Sequence, residues 1–578
     1  MGTISDKLMR IINTKEDIRR ALISKGYDVP TSIPFKEYAK MILDLPCKVD
    51  SFPDIEGIVA RYSASGLTNE QMAANPVWVD KTGNGHDLQL KNFAWKGMSG
   101  VGGYVADIDE WGTNSTAAYF ERNSIKITAT FKENVSLGLL YHNIKLRQSC
   151  VLKVTGIPEG CDAFLDDRLG NRFYMSEDGV YEIIPSNFLA EALYFSIEKY
   201  PERWYGSKLT IEQLPLYPGA LFFDGVDDYG TCDNFPILTK EKGYTVVALR
   251  QRISTGEGIS GLVSNVKNWF KNGAFILEYS YTKNSYFNRP VSFGAIGSER
   301  DLPHILTYQT SKSCNGVSIT VGSFIGTDQL YVGKIDNIVG NYSNFAIWEL
   351  VFLDHDATEE ELTKIKDYFI KTYPWLFPDQ AWTVVGKTNE DEDRATIANI
   401  TGNGNDLVLS NFGFAEGSGY NEEGEYAGYL VTDGVDDKII SSIFKMGNDW
   451  TVIGDWELIN TGKNDNAGIV KFDSIVIYNY NYNYNSILIN IKNGRNILIP
   501  DQNTVNAICS DGRIYSKDWK ESIYNEETES TSENFLTIGY SGNAYTKIAF
   551  KNLAIYPTVL SREDCIKAYN YLQTLKSK

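Results

Sequence analysis

Over the first fifty residues, apolar positions recur at helical spacing. Ile4, Leu8, Ile11 and Ile12 mark one stripe, and Ile18 and Leu22 continue it. Thr14 with Asp17 is an N-cap arrangement and Gly26 a stop, so the spacing predicts a helix that ends there. Pro30 and Pro34 break the chain, and Phe35, Tyr38, Ala39 and Ile42 predict a short second helix. A unit this small has too little core to be stable alone. Its apolar faces need cover, from the rest of the chain or from another protein.

Beyond residue 50 the pattern turns to strands. Short β-branched or aromatic runs such as Ala220–Phe223, Tyr244–Leu249, Trp450–Ile453 and Ile475–Tyr478 are bounded by Gly, Asn and Asp. The pattern is duplicated. Thr82-Gly83-Asn84-Gly85-His86-Asp87-Leu88 returns as Thr401-Gly402-Asn403-Gly404-Asn405-Asp406-Leu407, and Asp224-Gly225-Val226-Asp227-Asp228 as Asp433-Gly434-Val435-Asp436-Asp437. Each Asp-Gly follows an apolar run, which predicts a two-residue hairpin turn with positive φ at glycine. Tyr244-Thr245-Val246-Val247 matches Trp450-Thr451-Val452-Ile453, and Phe345-Ala346-Ile347-Trp348 reads as the counterpart of Leu553-Ala554-Ile555-Tyr556. Each copy closes with a helix. Asp356 with Glu359 caps the first, whose face is Leu362, Ile365 and Phe369; Ser561 with Asp564 caps the second, before Ile566, Tyr569 and Leu572.

The Thr-Gly-Asn-Gly blocks lie 319 residues apart and the Asp-Gly-Val-Asp blocks 209, so the first copy holds 110 residues that the second lacks. That segment is itself strand-like: Ile125, Ile127, Ala129 and Phe131 alternate with polar residues, and Leu209-Thr210-Ile211 precedes an exit at Pro215 and Pro218-Gly219. As a floppy loop it would cost about 4 kcal/mol to close, a noticeable share of one domain's stability. A folded module with adjacent ends orders itself. The expected organisation is a helical N-terminal segment (1–50), a discontinuous jelly roll (51–104 and 219–377), an inserted β-sandwich (105–218) and a second jelly roll (378–578). The fold class is thus mainly β, two antiparallel sandwiches.

Composition narrows the function. With 74 acidic against 55 basic residues the net charge is −19, which repels phosphate backbones, so nucleic acid is not an expected partner. Cys47, Cys150, Cys161, Cys232, Cys314, Cys509 and Cys565 are odd in number and contain no Cys-x-x-Cys pair; they read as free or buried thiols. Only four histidines occur, and His86 is replaced by Asn405 in the second copy, which argues against a catalytic or metal-binding histidine. Residues 1–10 lack the apolar core of a signal peptide, and no run reaches membrane-spanning length. A soluble protein made in a cytoplasm is expected.

Candidate chemistry is sparse. The acidic groups Asp224/Asp227/Asp228 and Asp433/Asp436/Asp437 resemble calcium ligands, but strand alternation in a hairpin sends neighbouring side chains to opposite faces, and turn formation explains them without an ion. No metal and no cofactor is expected. The Gly-Asn-Gly loops lack the Gly-Lys-Ser/Thr ending of a phosphate loop and read as tight turns. Glycoside hydrolysis needs a facing carboxylate pair, and the copies share no acidic pair outside turn positions. There is no Gly-x-Ser-x-Gly elbow. Trp95, Trp204, Trp269 and the Tyr478–Tyr484 tract could stack on sugars, against the commoner reading of buried aromatics or, for the tract, an exposed strand. Trp348 and Trp450 read as core.

The series Thr-Gly-Asn-Gly-x-Asp-Leu, Phe223-Asp224-Gly225-Val226-Asp227-Asp228-Tyr229, the Tyr-Thr-Val-Val strand and the Ala-Ile-Trp strand with its capped helix resembles laminin G-like, concanavalin A-like jelly rolls. Thr14-Lys15-Glu16-Asp17-Ile18-Arg19, Lys25-Gly26 and Phe35-x-x-Tyr38-Ala39 resemble the leader of virion proteins from Bacteroides phages, crAss-like phages included. Thr210–Pro215 running through Pro218-Gly219-Ala220 is similar to the same proteins. The resemblance implies a non-enzymatic virion component, a head (capsid) or tail fibre or decoration protein, made in the host bacterial cytoplasm. Its partners would be capsid or tail proteins and, as candidate ligand, a host-surface glycan, without membrane insertion. A homo-oligomer, dimer or trimer, is expected. Ile11, Ile18, Leu22, Phe35, Tyr38 and Ile42 would form the attachment face. The alternatives are a carbohydrate-binding lectin acting on its own, and a glycan-degrading enzyme.

Overall fold

The protein is described here by a computed structural model, covering residues 52–575 apart from internal stretches, chiefly 184–192, 266–275, 297–305 and 524–532. The chain divides into Met1–Asp54 and one compact unit, Ile55–Lys578. The attachment face Ile11, Ile18, Leu22, Phe35, Tyr38 and Ile42 lies outside the described residues.

The compact unit is mainly β. Two eight-stranded antiparallel sheets form the first jelly roll and two more the second, while a pair of five-stranded sheets spanning Gly112–Gln213 forms an inserted sandwich. The long strand Asn344–Leu353 organises the first roll. It is flanked by Thr245–Ser254 on one side and by Ile58–Ser63 and Leu221–Asp224 on the other. In the second roll Ile548–Tyr556 takes that place between Thr451–Leu458 and the pair Gln380–Thr383 and Leu430–Val431. Alternation produces the cores: Leu221, Phe223, Val246, Ala248, Phe345 and Ile347 point into one, and Leu407, Leu409, Ile439, Trp450 and Phe550 into the other. In the insert, Lys126–Phe131 buries Ile127, Ala129 and Phe131, as its alternation requires. Its two chain ends lie side by side, Gly102 N–H donating to Ala220 O at 2.8 Å and Tyr217 N–H to Gly102 O at 2.8 Å.

Four expectations are corrected. The Asp-Gly corner is not a hairpin. Leu221–Asp224 pairs in one sheet with Asn344–Ile347, whereas Tyr229–Cys232 pairs in the facing sheet with Gln89–Lys91 and Leu330–Val332. The turn therefore carries the chain across the sandwich, and the corner at Gly434 does the same. Positive φ is nevertheless required: Gly225 sits at 76° and Gly434 at 75°. A Cβ on Gly225 would lie 2.7 Å from Asn344 Cβ. Gly225→Ala should therefore cost about 1–3 kcal/mol, read as a lowered midpoint in urea; an unchanged midpoint would show that the corner can relax.

Second, the closing strands match in a different register. Leu221 pairs with Ile347 and Leu430 with Phe550, so the counterpart of Phe345-Ala346-Ile347-Trp348 is Ile548-Ala549-Phe550-Lys551, five residues before the sequence match. Third, the first closing helix, Glu359–Thr372, is capped by Thr358, whose hydroxyl accepts from Glu361 N while Glu361 returns to the Thr358 N–H. Asp356 instead accepts from the Ser311 N–H and hydroxyl and pairs with Lys312. Ser561 does cap Arg562–Leu572 by accepting from Asp564 N. Fourth, Trp348 is fully buried but lies outside its own roll's core. It faces away from that core and meets Tyr571 of the second closing helix, ring centres 6.1 Å apart.

That contact belongs to a welded junction. Tyr373 donates to Glu349 of the first roll at 2.8 Å, Pro374–Leu376 forms a 3-10 turn, and Tyr556 of the second roll donates to Trp375 O at 3.1 Å. The Tyr373 and Tyr556 hydroxyls thus find partners while their rings fill the seam.

Candidate functional site

The duplicated motifs assemble into matched corners. In the first roll the Asp80 carboxylate accepts from the backbone of Arg61 and Thr82 (both 3.0 Å) and from the Thr82 hydroxyl (2.8 Å). Asn399 does the same in the second, accepting from Ala381 N, Thr401 N and the Thr401 hydroxyl. The Asn84 amide donates to Val59 O at 3.1 Å and Asn403 to Asp379 O at 2.7 Å. So the Thr-Gly-Asn-Gly block pins one strand to its neighbour through side-chain amides, and the tight-turn reading holds with that addition. Asp80 and Asn399 were missed because only one residue in that short stretch is identical, although an Asx residue two places before the threonine was visible in both copies.

The motif also continues further than the duplicated heptapeptide. Asn92 and Asn411 both adopt left-handed backbone, φ 68° and 71°, and donate from their side chains to Asp227 O and Asp436 O at 3.0 Å. Ser99 donates to Asp228 Oδ1 at 3.0 Å while accepting from Ala94 N, and Ser418 accepts from Gly413 N.

These bonds close the acidic corners. Asp224 Oδ1 accepts from Val226 N and Asp227 N, and Asp228 Oδ2 from Asp224 N at 3.1 Å. Asp433 and Asp437 repeat the pattern. The expectation that alternation separates these carboxylates is wrong: in each triad the oxygens converge within 4.8 Å of one another. They converge because the turn is an arch rather than a hairpin, so its side chains fold back over it. The third carboxylate of each triad is buried while the middle one is exposed. Burial pushes Asp228 up to about 7, with the Asp224 carboxylate adding to it and the Asp224 N–H and Ser99 hydroxyl opposing. Burial likewise raises Asp437 to about 6.

The linkage has one sign. A carboxyl whose folded pKa exceeds its unfolded value binds protons more tightly when folded, so its stabilising share is full near pH 4 and lost as pH climbs through 7. We expect Asp228 to reduce first-roll stability by roughly 2 kcal/mol between pH 5 and 8.5, and Asp228→Asn to flatten that slope in a thermal-melt series. A chelator should leave the melt unchanged at pH 8.5; a drop of several degrees would show that the corner holds a divalent ion.

The aromatic candidates separate clearly. Trp204 is buried in the insert's core, ring centre 5.0 Å from Phe131, with its indole N–H on Lys199 O at 3.2 Å. It is no sugar platform. Trp95 stacks on Phe93 at 4.8 Å, and Phe414 holds the same place beside Phe412, a repeated packing position. Trp450 lies in the second core. Ile475–Tyr480 is a strand paired with Ser486–Ile491; its side chains, residues 481–485 and Trp269 lie outside the described residues. His86 rests against Phe235, ring centres 6.0 Å apart.

Among the described residues, a cleft of about 650 Å³ lies where the two rolls meet. Val247 and Tyr308 line it from adjacent strands of the first roll, the helix Glu359–Thr372 supplies Leu362, Thr363 and Lys366, the linker supplies Phe377 and Asp379, and the second roll's repeated corner supplies Thr401 and Asn403. Sequence reading missed it entirely, since its walls come from five separate stretches, around residues 247, 306–315, 359–379, 401–403 and 557. Among the described residues, no helix is long and apolar enough to cross a membrane.

Two matched jelly rolls joined by a fixed seam, with an accessory sandwich spliced into the first, define a mainly β, antiparallel sandwich architecture. No protein-family model matches the sequence, and no curated protein matches it. Among solved structures the chain is similar to a Trypanosoma rangeli sialidase in complex with sialic acid, at 9% identity over 80% of this chain and 84% of that chain, TM-score 0.24. It is also similar to the receptor-binding domain of botulinum neurotoxin type G (13%, 33% and 50%, TM-score 0.20) and the binding domain of serotype C1 (9%, 58% and 88%, TM-score 0.21).

Proposed function

We propose that this protein is a non-enzymatic structural component of a bacteriophage virion, a head or tail fibre or decoration protein docked through residues 1–50 that holds its sandwiches out rigidly. The observation that carries the reading is the welded junction, in which Tyr373, Trp375, Trp348, Tyr556 and Tyr571 are all buried. A linker built only to join two binding modules needs no such burial; a spacer that must transmit position does. Two of the described buried acids are occupied with structure, Glu349 with Arg61 and Tyr373, and Asp228 with Ser99 and its own turn. A reaction would need such groups left facing a substrate. The partners under this reading are capsid or tail proteins, in a homodimer or homotrimer.

Deleting residues 1–50 tests it. Virions assembled with the truncated chain should lack the protein by immunogold labelling, while the purified truncation melts as the full chain does. Normal incorporation would reject the anchor, and release of new reducing ends from capsular polysaccharide by the full chain would reject the non-enzymatic role.

A further inference from the structure

We propose that the cleft between the two jelly rolls is a binding site for a neutral oligosaccharide. The inference gives a site and a ligand class to the display role proposed above, and the cleft's chemistry does not depend on the virion setting.

Size comes first. About 650 Å³ falls in the range of pockets that enclose small ligands, and junctions between modules are where such pockets recur. Composition comes second. A pyranose presents an apolar face of C–H groups and a rim of hydroxyls, each both donor and acceptor. The cleft offers both kinds of surface. Tyr308 and Phe377 are half-buried rings on its wall, beside Val247 and Leu362. Around them stand groups that pair with hydroxyls: the Asn315 and Asn403 amides, the Thr363 hydroxyl, and the Glu359 and Asp379 carboxylates.

Charge decides between neutral and acidic sugars. The cleft holds two carboxylates against the single ammonium of Lys366, within a chain of net charge −19. A sialylated or uronate-bearing ligand would be repelled, and a phosphorylated one more so. A neutral glycan meets no such cost.

The walls are fixed before any ligand arrives. Asn403 is tied to Asp379 O at 2.7 Å and Thr401 to the same oxygen at 3.1 Å, so one corner of the second roll is locked to the linker. Asn315 Oδ1 accepts from Tyr308 N at 2.9 Å, which fixes the wall across the first roll. The seam of Trp348 on Tyr571 and Tyr556 on Trp375 holds the two rolls in place. A preformed site loses little on ordering, which favours binding by weak, hydrated ligands such as sugars. The first copy's block makes the equivalent bond, Asn84 donating to Val59 O at 3.1 Å, so the junction turns a repeated structural corner into a wall.

The test uses the full-length chain and an immobilised panel of neutral gluco-, galacto-, manno- and xylo-oligosaccharides, with sialylated and uronate-containing counterparts. At least one neutral member should be retained, and its affinity should fall ten-fold or more in Tyr308→Ala and in Thr363→Trp. Thr363 is exposed on the helix, so the tryptophan blocks the cleft without disturbing a core, and its melting temperature should match the unaltered chain. Val226→Ser, at a corner whose valine is 71% exposed, should bind normally. Retention of acidic members alone, binding untouched by Thr363→Trp, or no retention of any member would each overturn the proposal. Virions carrying Thr363→Trp should contain the protein at normal copy number; loss of incorporation there would show the cleft to be a contact with another virion protein and overturn the glycan assignment.

Discussion

Arg61→Leu should destabilise the first jelly roll by about 3–5 kcal/mol, with the larger loss at alkaline pH. Arg61 is 4% exposed and Glu349 is fully buried, and the guanidinium Nε lies 3.2 Å from the carboxylate. Glu349 also accepts from the Tyr373 hydroxyl at 2.8 Å, and Arg61 donates to Tyr368 at 2.9 Å. Burial alone raises the Glu349 pKa, and the Arg61 charge is the leading influence that lowers it again. Remove the arginine and a carboxylate remains in a dry seam with no counter-charge. It must then take up a proton to stay folded. A folded pKa raised this way stabilises at low pH and stops doing so as pH rises through it. Melting temperatures at pH 5 and pH 8.5 should therefore diverge more in the variant than in the unaltered chain, and Arg61→Leu with Glu349→Leu should recover most of the loss. The second roll already shows the neutral alternative, since Asn552 occupies the place of Glu349 and donates to Gln573 Oε1 at 3.3 Å. Equal losses at both pH values, or a double variant as unstable as the single one, would refute the buried-pair account.

Trp348→Ala is expected to cost about 3–5 kcal/mol and to uncouple the two rolls. Its indole N–H donates to Pro218 O at 2.8 Å, at the exit from the insert, and its ring abuts Tyr571 of the second roll's closing helix. One side chain thus ties together the first roll, the segment returning from the inserted sandwich and the second roll. Its loss opens a void where both rolls and the insert converge. Calorimetry should then resolve separate transitions for the two rolls, and a protease should cut within residues 373–380 at enzyme concentrations that spare the unaltered chain. The same substitution in a single core would lower one transition and leave the linker protected, so an intact linker would show that the seam does not depend on this contact.

Much of the fold was readable in the residues. Repeated blocks gave two like units and the length of the insert, because glycine at positive φ and Asx side chains solve local backbone problems that recur wherever the corner recurs. Alternation placed Ile127, Ala129 and Phe131 inward, and Ser561 announced its helix. The site was far less readable. The cleft draws Tyr308, Thr363, Phe377 and Asn403 from stretches that no pattern links, and a pocket wall has no periodicity of its own.

Sequence by itself determined which segments are strands, where the chain turns and that the unit is doubled, since these follow from short-range sterics and the apolar–polar period. Tertiary structure alone decided what each strand pairs with. Leu221–Asp224 bonds to a strand some 120 residues away, so its following turn became an arch and its carboxylates converged. Two apolar quartets looked alike, yet hydrogen-bond register moved the true counterpart by five residues. Thr358 became the cap because Ser311 and Lys312 had claimed Asp356. Trp348 pointed out of its own roll because the neighbouring roll offered burial there. In every case a local preference had two acceptable outcomes, and a partner distant in sequence chose between them.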